Sequence, residues 1–329
     1  MPMIDCNWSY NGIKLCILNN DILNISILPE MGGIIWSIKY NGYELMYHHY
    51  KELELPWKFK EDFPREDPLH TFFIGGWFEV FPNAGYKTNL LGVSWGLHGE
   101  TPYLPWKVEY DEEKDPNSIL LIVQLKRYPL KLYRRISLNK NEILLWEKVV
   151  NLAPIDLYFS WLHHPTFGGD FLDDSTFIEL PNNTEIEVDK YLGLKYSQFE
   201  AGFRGEWPMV KGKDGKMYDL SRYPPKGSQN TNDLIYVPKM KRGWFKIINE
   251  KRKITFEAEY ENSLFKSLWI WRPIGGGPED PWYGTIYATS LEITTSWPAT
   301  GLSEQVKLGT AEVIKANSKI ETLLKFSIK

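Results

Sequence analysis

Residues Ile13 to Ile38 read IKLCILNNDILNISILPEMGGIIWSI. This stretch holds three short apolar runs, 13–18, 22–28 and 34–38. Asn19-Asn20-Asp21 and Pro29-Glu30-Met31-Gly32-Gly33 separate them. Apolar runs of this length bounded by turn residues read as β-strands with tight connections. Asn41-Gly42 then predicts a hairpin turn into Tyr43–Tyr47.

The same rhythm returns along the chain. Runs 119–125, 131–137 and 143–150 read as strands, with Asn139-Lys140-Asn141 as a turn. Further strands are predicted over 244–248, 253–260, 266–271, 284–294, 305–314 and 319–328. No long window shows helical periodicity. Residues 48–70 and 200–230 are polar and hold Pro or Gly, and read as long loops. Composition agrees: 14 Trp, 19 Tyr and 21 Pro stand against only 8 Ala, a balance that favours strands over helices. Although 329 residues would accommodate two domains, the evenly spaced strands predict one all-β domain over 1–329, a large antiparallel sandwich.

Net charge is −4, which argues against nucleic-acid binding through bulk positive charge. No apolar run is long enough for a transmembrane helix, so no membrane partner is expected. The first residues, MPMIDCNWSYNG, lack a basic segment followed by an apolar core, so no secretory signal is expected and a cytoplasmic location is. Cys6 and Cys16 are the only cysteines; two free thiols and one bridge are both compatible with the sequence.

The chemistry must come from few residues. Of six histidines, His98 (in Leu97-His98-Gly99-Glu100) and the pair His163-His164 (before Pro165-Thr166-Phe167-Gly168-Gly169) sit where strands meet loops. Such junctions are where sheet proteins place reactive groups. A metal held by His98, His163 or His164 with Glu100 or Asp170 is disfavoured, because adjacent residues on a strand face opposite ways. Neither metal nor cofactor is expected. Over 284–294, alternation puts Ile286, Ala288, Ser290 and Glu292 on one face, so Glu292 shares a face with small residues. Asp233, in Asn232-Asp233-Leu234-Ile235-Tyr236, is a second candidate carboxylate. There is no nucleophile elbow, P-loop or dinucleotide fingerprint.

Taken in order, these motifs resemble the aldose 1-epimerase (galactose mutarotase-like) superfamily. The resemblance is carried by Ile27-Leu28-Pro29 with Gly32-Gly33, by Gly75 to Gly85, and by Leu97-His98-Gly99 with Trp106. It continues through His164-Pro165-Thr166-Phe167, Asn232 to Tyr236, and Leu291-Glu292 with Pro298. The resemblance implies a β-supersandwich that interconverts the α and β anomers of an aldose without metal or cofactor. It implies Glu292 as general base, His164 as general acid, His98 at the ring oxygen and Asp233 on sugar hydroxyls. His164 is then expected to be protonated, with a carboxylate or hydroxyl supporting its charge. Phe81-Pro82-Asn83-Ala84 stands where galactose-type members carry Asn-Arg, which makes Asn83 a substrate-binding candidate. Glu100 stands where the phosphosugar branch differs, so a branch with its own sugar is implied. By position and chemistry, Trp77, Trp269 and Trp271 are candidate sugar platforms, and Arg272 and Glu100 candidate clamps. The two long loops are expected to rim the cleft.

The expected partner is a small sugar, bound by a monomer or homodimer. A non-catalytic sugar-binding protein on the same fold is the alternative. A hydrolase is less suited, since it would want two carboxylates at the cleavage point.

Overall fold

The structure is a computed structural model, described over residues 3–55, 68–111 and 113–329. Most of the long loop expected at 48–70 lies outside the described residues.

The strands that build the first sheet's N-terminal half are β1 (Met3–Tyr10), β2 (Ile13–Asn19), β3 (Leu23–Leu28), β4 (Ile34–Tyr40) and β5 (Gly76–Val80). The next group is β6 (Lys107–Asp111), β7 (Asp115–Gln124), β8 (Leu130–Asn139) and β9 (Glu142–Asn151). Then come β10 (Leu162–Phe167), β11 (Thr176–Glu179), β12 (Glu185–Val188), β13 (Arg204–Glu206) and β14 (Thr231–Val237). The last are β15 (Trp244–Asn249), β16 (Ile254–Tyr260), β17 (Ser267–Gly275), β18 (Thr289–Thr294) and β19 (Lys319–Ile328).

The large sheet runs β1-β2-β3-β4-β5-β10-β18-β17-β14-β12-β13. The second runs β11-β15-β16-β19-β9-β8-β7-β6. All the strand pairings in both are antiparallel. The predicted Asn41-Gly42 hairpin forms with both residues at positive φ (50° and 84°), as a two-residue turn between twisted strands requires. Loop 200–230 carries structure of its own: β13 and a hairpin of Met209–Lys211 with Met217–Asp219.

Apolar side chains of both sheets meet between them, with Ile27, Ile35 and Trp77 from one side and Leu121, Leu145 and Phe326 from the other, all fully buried. Each such side chain contributes roughly 1.5–3 kcal/mol by leaving water. The large sheet has a second apolar layer on its opposite face, formed by Phe78, Leu162, Tyr236 and Trp269 with Phe73 and Trp282 from connecting segments. Both faces of its central strands are therefore covered.

The strand expected over 305–314 is corrected. Leu302–Leu308 is a helix, and only Glu312–Ile314 is extended. Leu302-Ser303-Glu304-Gln305-Val306-Lys307-Leu308 holds mostly good helix formers, and Gly309 ends it in the left-handed conformation (φ 70°).

Cys6 and Cys16 form a disulfide between β1 and β2, and both are buried. Disulfides persist mainly in oxidising compartments or in intracellular proteins of hyperthermophiles. By closing this short loop the bridge should contribute about 2–3 kcal/mol. Cys16→Ser is expected to lower the denaturant midpoint correspondingly, and reductant should do the same to the parent protein. An unchanged midpoint in both would contradict a structural role.

Candidate active site

His163 and His164 lie side by side on β10 and, as strand geometry dictates, face opposite ways. His164 joins the outer layer, where its ring stacks on Phe78 at 4.4 Å. His163 faces the second sheet and is fully buried.

Strand register then assembles a single lateral row across the outer face. Phe78 on β5 pairs with His164 on β10. The pairings Leu162–Thr294 and Thr166–Ser290 set His164 opposite Glu292 on β18. Glu292 pairs with Trp269 on β17, and Trp269 with Tyr236 on β14. At the centre of this row, His164 Nε2 lies 3.3 Å from Glu292 Oε1. Ser290 shares the Glu292 face, as its alternation predicts. Its hydroxyl donates to the Pro165 carbonyl (2.8 Å), so its oxygen is left to accept from His164 Nδ1 at 3.3 Å. Thr166 Oγ1 is 3.1 Å from the same nitrogen. With the Ser290 proton directed to Pro165, these contacts favour the tautomer with Nδ1 as donor, which leaves Nε2 to share a proton with Glu292.

His164 and Glu292 are almost wholly covered (5% and 3% exposed). Burial disfavours charge on either group. It pulls His164 down from the ordinary 6.5 to about 3 and pushes Glu292 well above the ordinary 4.5. The expected support for an imidazolium is present in Glu292, Thr166 and Ser290. Burial nevertheless favours the neutral pair, with the proton on Glu292. The pair holds one proton in either arrangement, which is what an acid and a base in partnership need.

His98 stands at the rim of this centre, its ring 5.6 Å from that of His164. Its Nδ1 accepts from the Gly85 backbone N–H (3.2 Å), which makes Nε2 the proton-bearing nitrogen. Trp271, half-buried, lies 5.5 Å from His164 and donates through Nε1 to Asn232 Oδ1 (2.8 Å). Trp269 sits in the row itself, 1% exposed, its Nε1 donating to the Ser296 carbonyl (3.0 Å).

The remaining sequence candidates fall elsewhere. Trp77 and Asp233 are turned to the opposite face by the alternation of β5 and β14. Trp77 packs edge-on to Phe326 at 4.6 Å in the inter-sheet core. Asp233 accepts from Ser197 Oγ (2.8 Å) and the Gln198 N–H (2.9 Å). Arg272 pairs with Asp233 in register on that same face, and donates to the Arg222 carbonyl (3.0 Å). Asn83 is fully buried and structural: its amide donates to the Tyr86 and Gly96 carbonyls, and its oxygen accepts from Leu302 N–H. Glu100 accepts from Trp95 Nε1 (3.1 Å) and from the Lys126 and Arg127 N–H groups, so it anchors a turn rather than a ligand.

Sequence reasoning missed Phe73, Trp282 and Tyr236. Phe73 and Trp282 form an edge-on aromatic roof, with Phe73 6.0 Å and Trp282 5.5 Å from Trp271. Tyr236 ends the row and donates to Asp189 Oδ1 (2.6 Å). Only the high aromatic content pointed toward them. An open pocket of about 410 Å³, lined by Tyr47, His48, Asp173, Asp174 and Lys226 among others, includes neither His164 nor Glu292. Pro225 and Lys226, at the end of loop 200–230, rim that pocket. Among the described residues, no helix is long and apolar enough to cross a membrane.

The two-sheet antiparallel sandwich is a fold shared with solved structures described as galactose mutarotase-like. A galactose mutarotase-like protein from Clostridium acetobutylicum superposes with a TM-score of 0.68, covering 100% of this chain and 98% of its own, at 15% identity. A Klebsiella pneumoniae protein provisionally named aldose 1-epimerase superposes at 0.74 over 99% of this chain and 82% of its own, also at 15% identity. An Escherichia coli protein of the same provisional name gives 0.69 over 97% and 99%, at 14% identity. No protein-family model and no curated protein matches the sequence.

Proposed function

We propose that this chain is a mutarotase acting on an aldose, with residues 1–329 as one domain and a small sugar as its partner. The observation that carries this reading is the His164–Glu292 pair, 3.3 Å apart on neighbouring strands. Mutarotation moves two protons around one carbon. A base takes the proton of the anomeric hydroxyl while an acid gives one to the ring oxygen. The ring opens, the aldehyde turns, and closure on the other face reverses both transfers. The two oxygens sit on the same carbon, so acid and base must sit side by side. Adjacent strands, about 4.8 Å apart, provide that spacing.

Transfer of the shared proton from Glu292 to His164 makes Glu292 the base and His164 the acid; ring opening leaves the pair's proton on Glu292 again, and closure returns it to His164. His98 presents Nε2–H to the ring oxygen. One carboxylate facing one imidazole does not suit a glycosidase, which needs two carboxyl groups about 5–9.5 Å apart. The fold resemblance supports the same reading.

Trp271 is the platform for the sugar's apolar face. Trp271→Ala is expected to raise KM roughly three- to tenfold, the size of one aromatic contact. Trp77→Phe should leave KM unchanged, since Trp77 faces the other sheet. The proposal is tested by following the optical rotation of a freshly dissolved α-aldose with and without protein. Relaxation no faster than in buffer, across a panel of sugars, would remove the catalytic reading and leave sugar binding alone.

A further inference from the structure

Directly behind the proposed acid–base pair, between the two sheets, lie four ionisable side chains with no more than 1% exposure: Glu79, Arg134, Glu147 and His163. Two come from each sheet. Glu79 and His163 are cross-strand partners on β5 and β10, and Arg134 and Glu147 are cross-strand partners on β8 and β9. Arg134 Nε lies 3.3 Å from Glu147 Oε1 and 3.7 Å from Glu79 Oε2. His163 Nε2 lies 3.1 Å from Glu147 Oε2, and Trp161 Nε1 donates to Glu79 Oε1 (2.6 Å).

Such a cluster is a poor way to gain stability. Desolvating several charges is expensive, and well-packed apolar residues in their place are often neutral or stabilising. Among the described residues, several of its polar atoms, including Arg134 Nη2 and His163 Nδ1, have no hydrogen-bond partner. Both carboxylates are pushed up by burial, Glu79 to about 8 and Glu147 to about 7, and Arg134 opposes the shift in each.

Its location gives it a use. Phe78 follows Trp77 and precedes Glu79, and His164 follows His163, so the cross-strand pair Glu79/His163 is one residue from the cross-strand pair Phe78/His164. A one-residue slip of β10 in the sheet would turn His164 toward the second sheet and His163 to the outer face. A directional, charged contact to the second sheet penalises that slip far more than apolar packing does.

We infer that Glu79, Arg134, Glu147 and His163 form an inter-sheet clamp whose work is to position His164 against Glu292, and that they are positioning residues for the reaction proposed above. The inference rests on that reading for its kinetic consequence only. The clamp fixes the His164 side chain whether or not a sugar turns over.

The test replaces the clamp by apolar residues of similar volume in one variant, Glu79→Leu, Arg134→Met, Glu147→Leu and His163→Phe. The expected result is a folded protein with a melting temperature equal to or above the parent's. Its kcat should fall tenfold or more with KM within twofold, and the 15N resonances of the His164 ring should shift or broaden. Arg134→Lys, which keeps the charge and loses the planar fork, serves if the fourfold variant does not fold, and should show the same changes in smaller measure. A folded variant with parental kcat and parental His164 resonances would overturn the clamp. Absence of turnover in the parent would instead sink the mutarotase reading, and the His164 resonances would still decide the clamp.

Discussion

Glu292→Gln is expected to lower the rate of anomer exchange by roughly 10²–10⁴-fold, the usual contribution of one positioned proton-transfer group. Gln keeps the shape and a hydrogen-bond capacity toward His164 Nε2, but it cannot accept the anomeric proton. Since Glu292 is buried and raised in pKa, removing its ionisable group relieves a desolvation cost rather than breaking a stabilising ion pair. The variant should therefore stay folded and still bind sugar. His164→Asn should cost a similar factor. The double variant should be little worse than either single one, because the two groups act as a unit. Steady-state rates with a thermal melt of each variant check this. Additive losses would show that the groups work independently.

The pH dependence follows from the same burial. The working state of the pair holds one proton. It gains a second only when His164 is protonated beside a protonated Glu292, which burial defers to about pH 3. It loses its only proton when Glu292 ionises, which burial defers to well above the ordinary 4.5. The expected kcat profile is a plateau that begins at about pH 4 and extends well above 4.5 before an alkaline limb. An exposed pair would instead lose its first proton near 4.5 and its second near 6.5, giving a narrow bell between them. Rates across pH 4–9, on protein verified as folded by circular dichroism, distinguish the two. A bell centred between 4.5 and 6.5 would mean that the site is more solvated than its burial implies.

Strand existence was legible because turn chemistry punctuates the chain: Asn41-Gly42 and Asn139-Lys140-Asn141 each stand where the chain reverses. The pair His164 and Glu292 was legible by another route, the order of motifs along the chain, with alternation placing Glu292 beside Ser290. What failed was facing. β5 is buried on every residue, and β14 is buried from Asp233 to Val237. A strand covered on both faces carries no polar–apolar alternation to say which side meets the site. Trp77, Asp233 and Arg272 were misplaced for that reason. Asn83 and Glu100 failed differently: polar residues in Gly-rich turns are as often spent on the chain's own N–H and C=O groups as on a ligand. The helix Leu302–Leu308 was hidden because seven residues are too few to show a period of 3.6.

The most direct measurement is NMR exchange between the α and β anomers of a panel of free aldoses and sugar phosphates, with the parent protein and with Glu292→Gln. Accelerated exchange of at least one sugar by the parent is the expected result, with its loss in the variant while line broadening still reports binding. No acceleration of any sugar, with broadening that shows binding to the parent, would contradict it and make this chain a sugar-binding protein on a mutarotase fold.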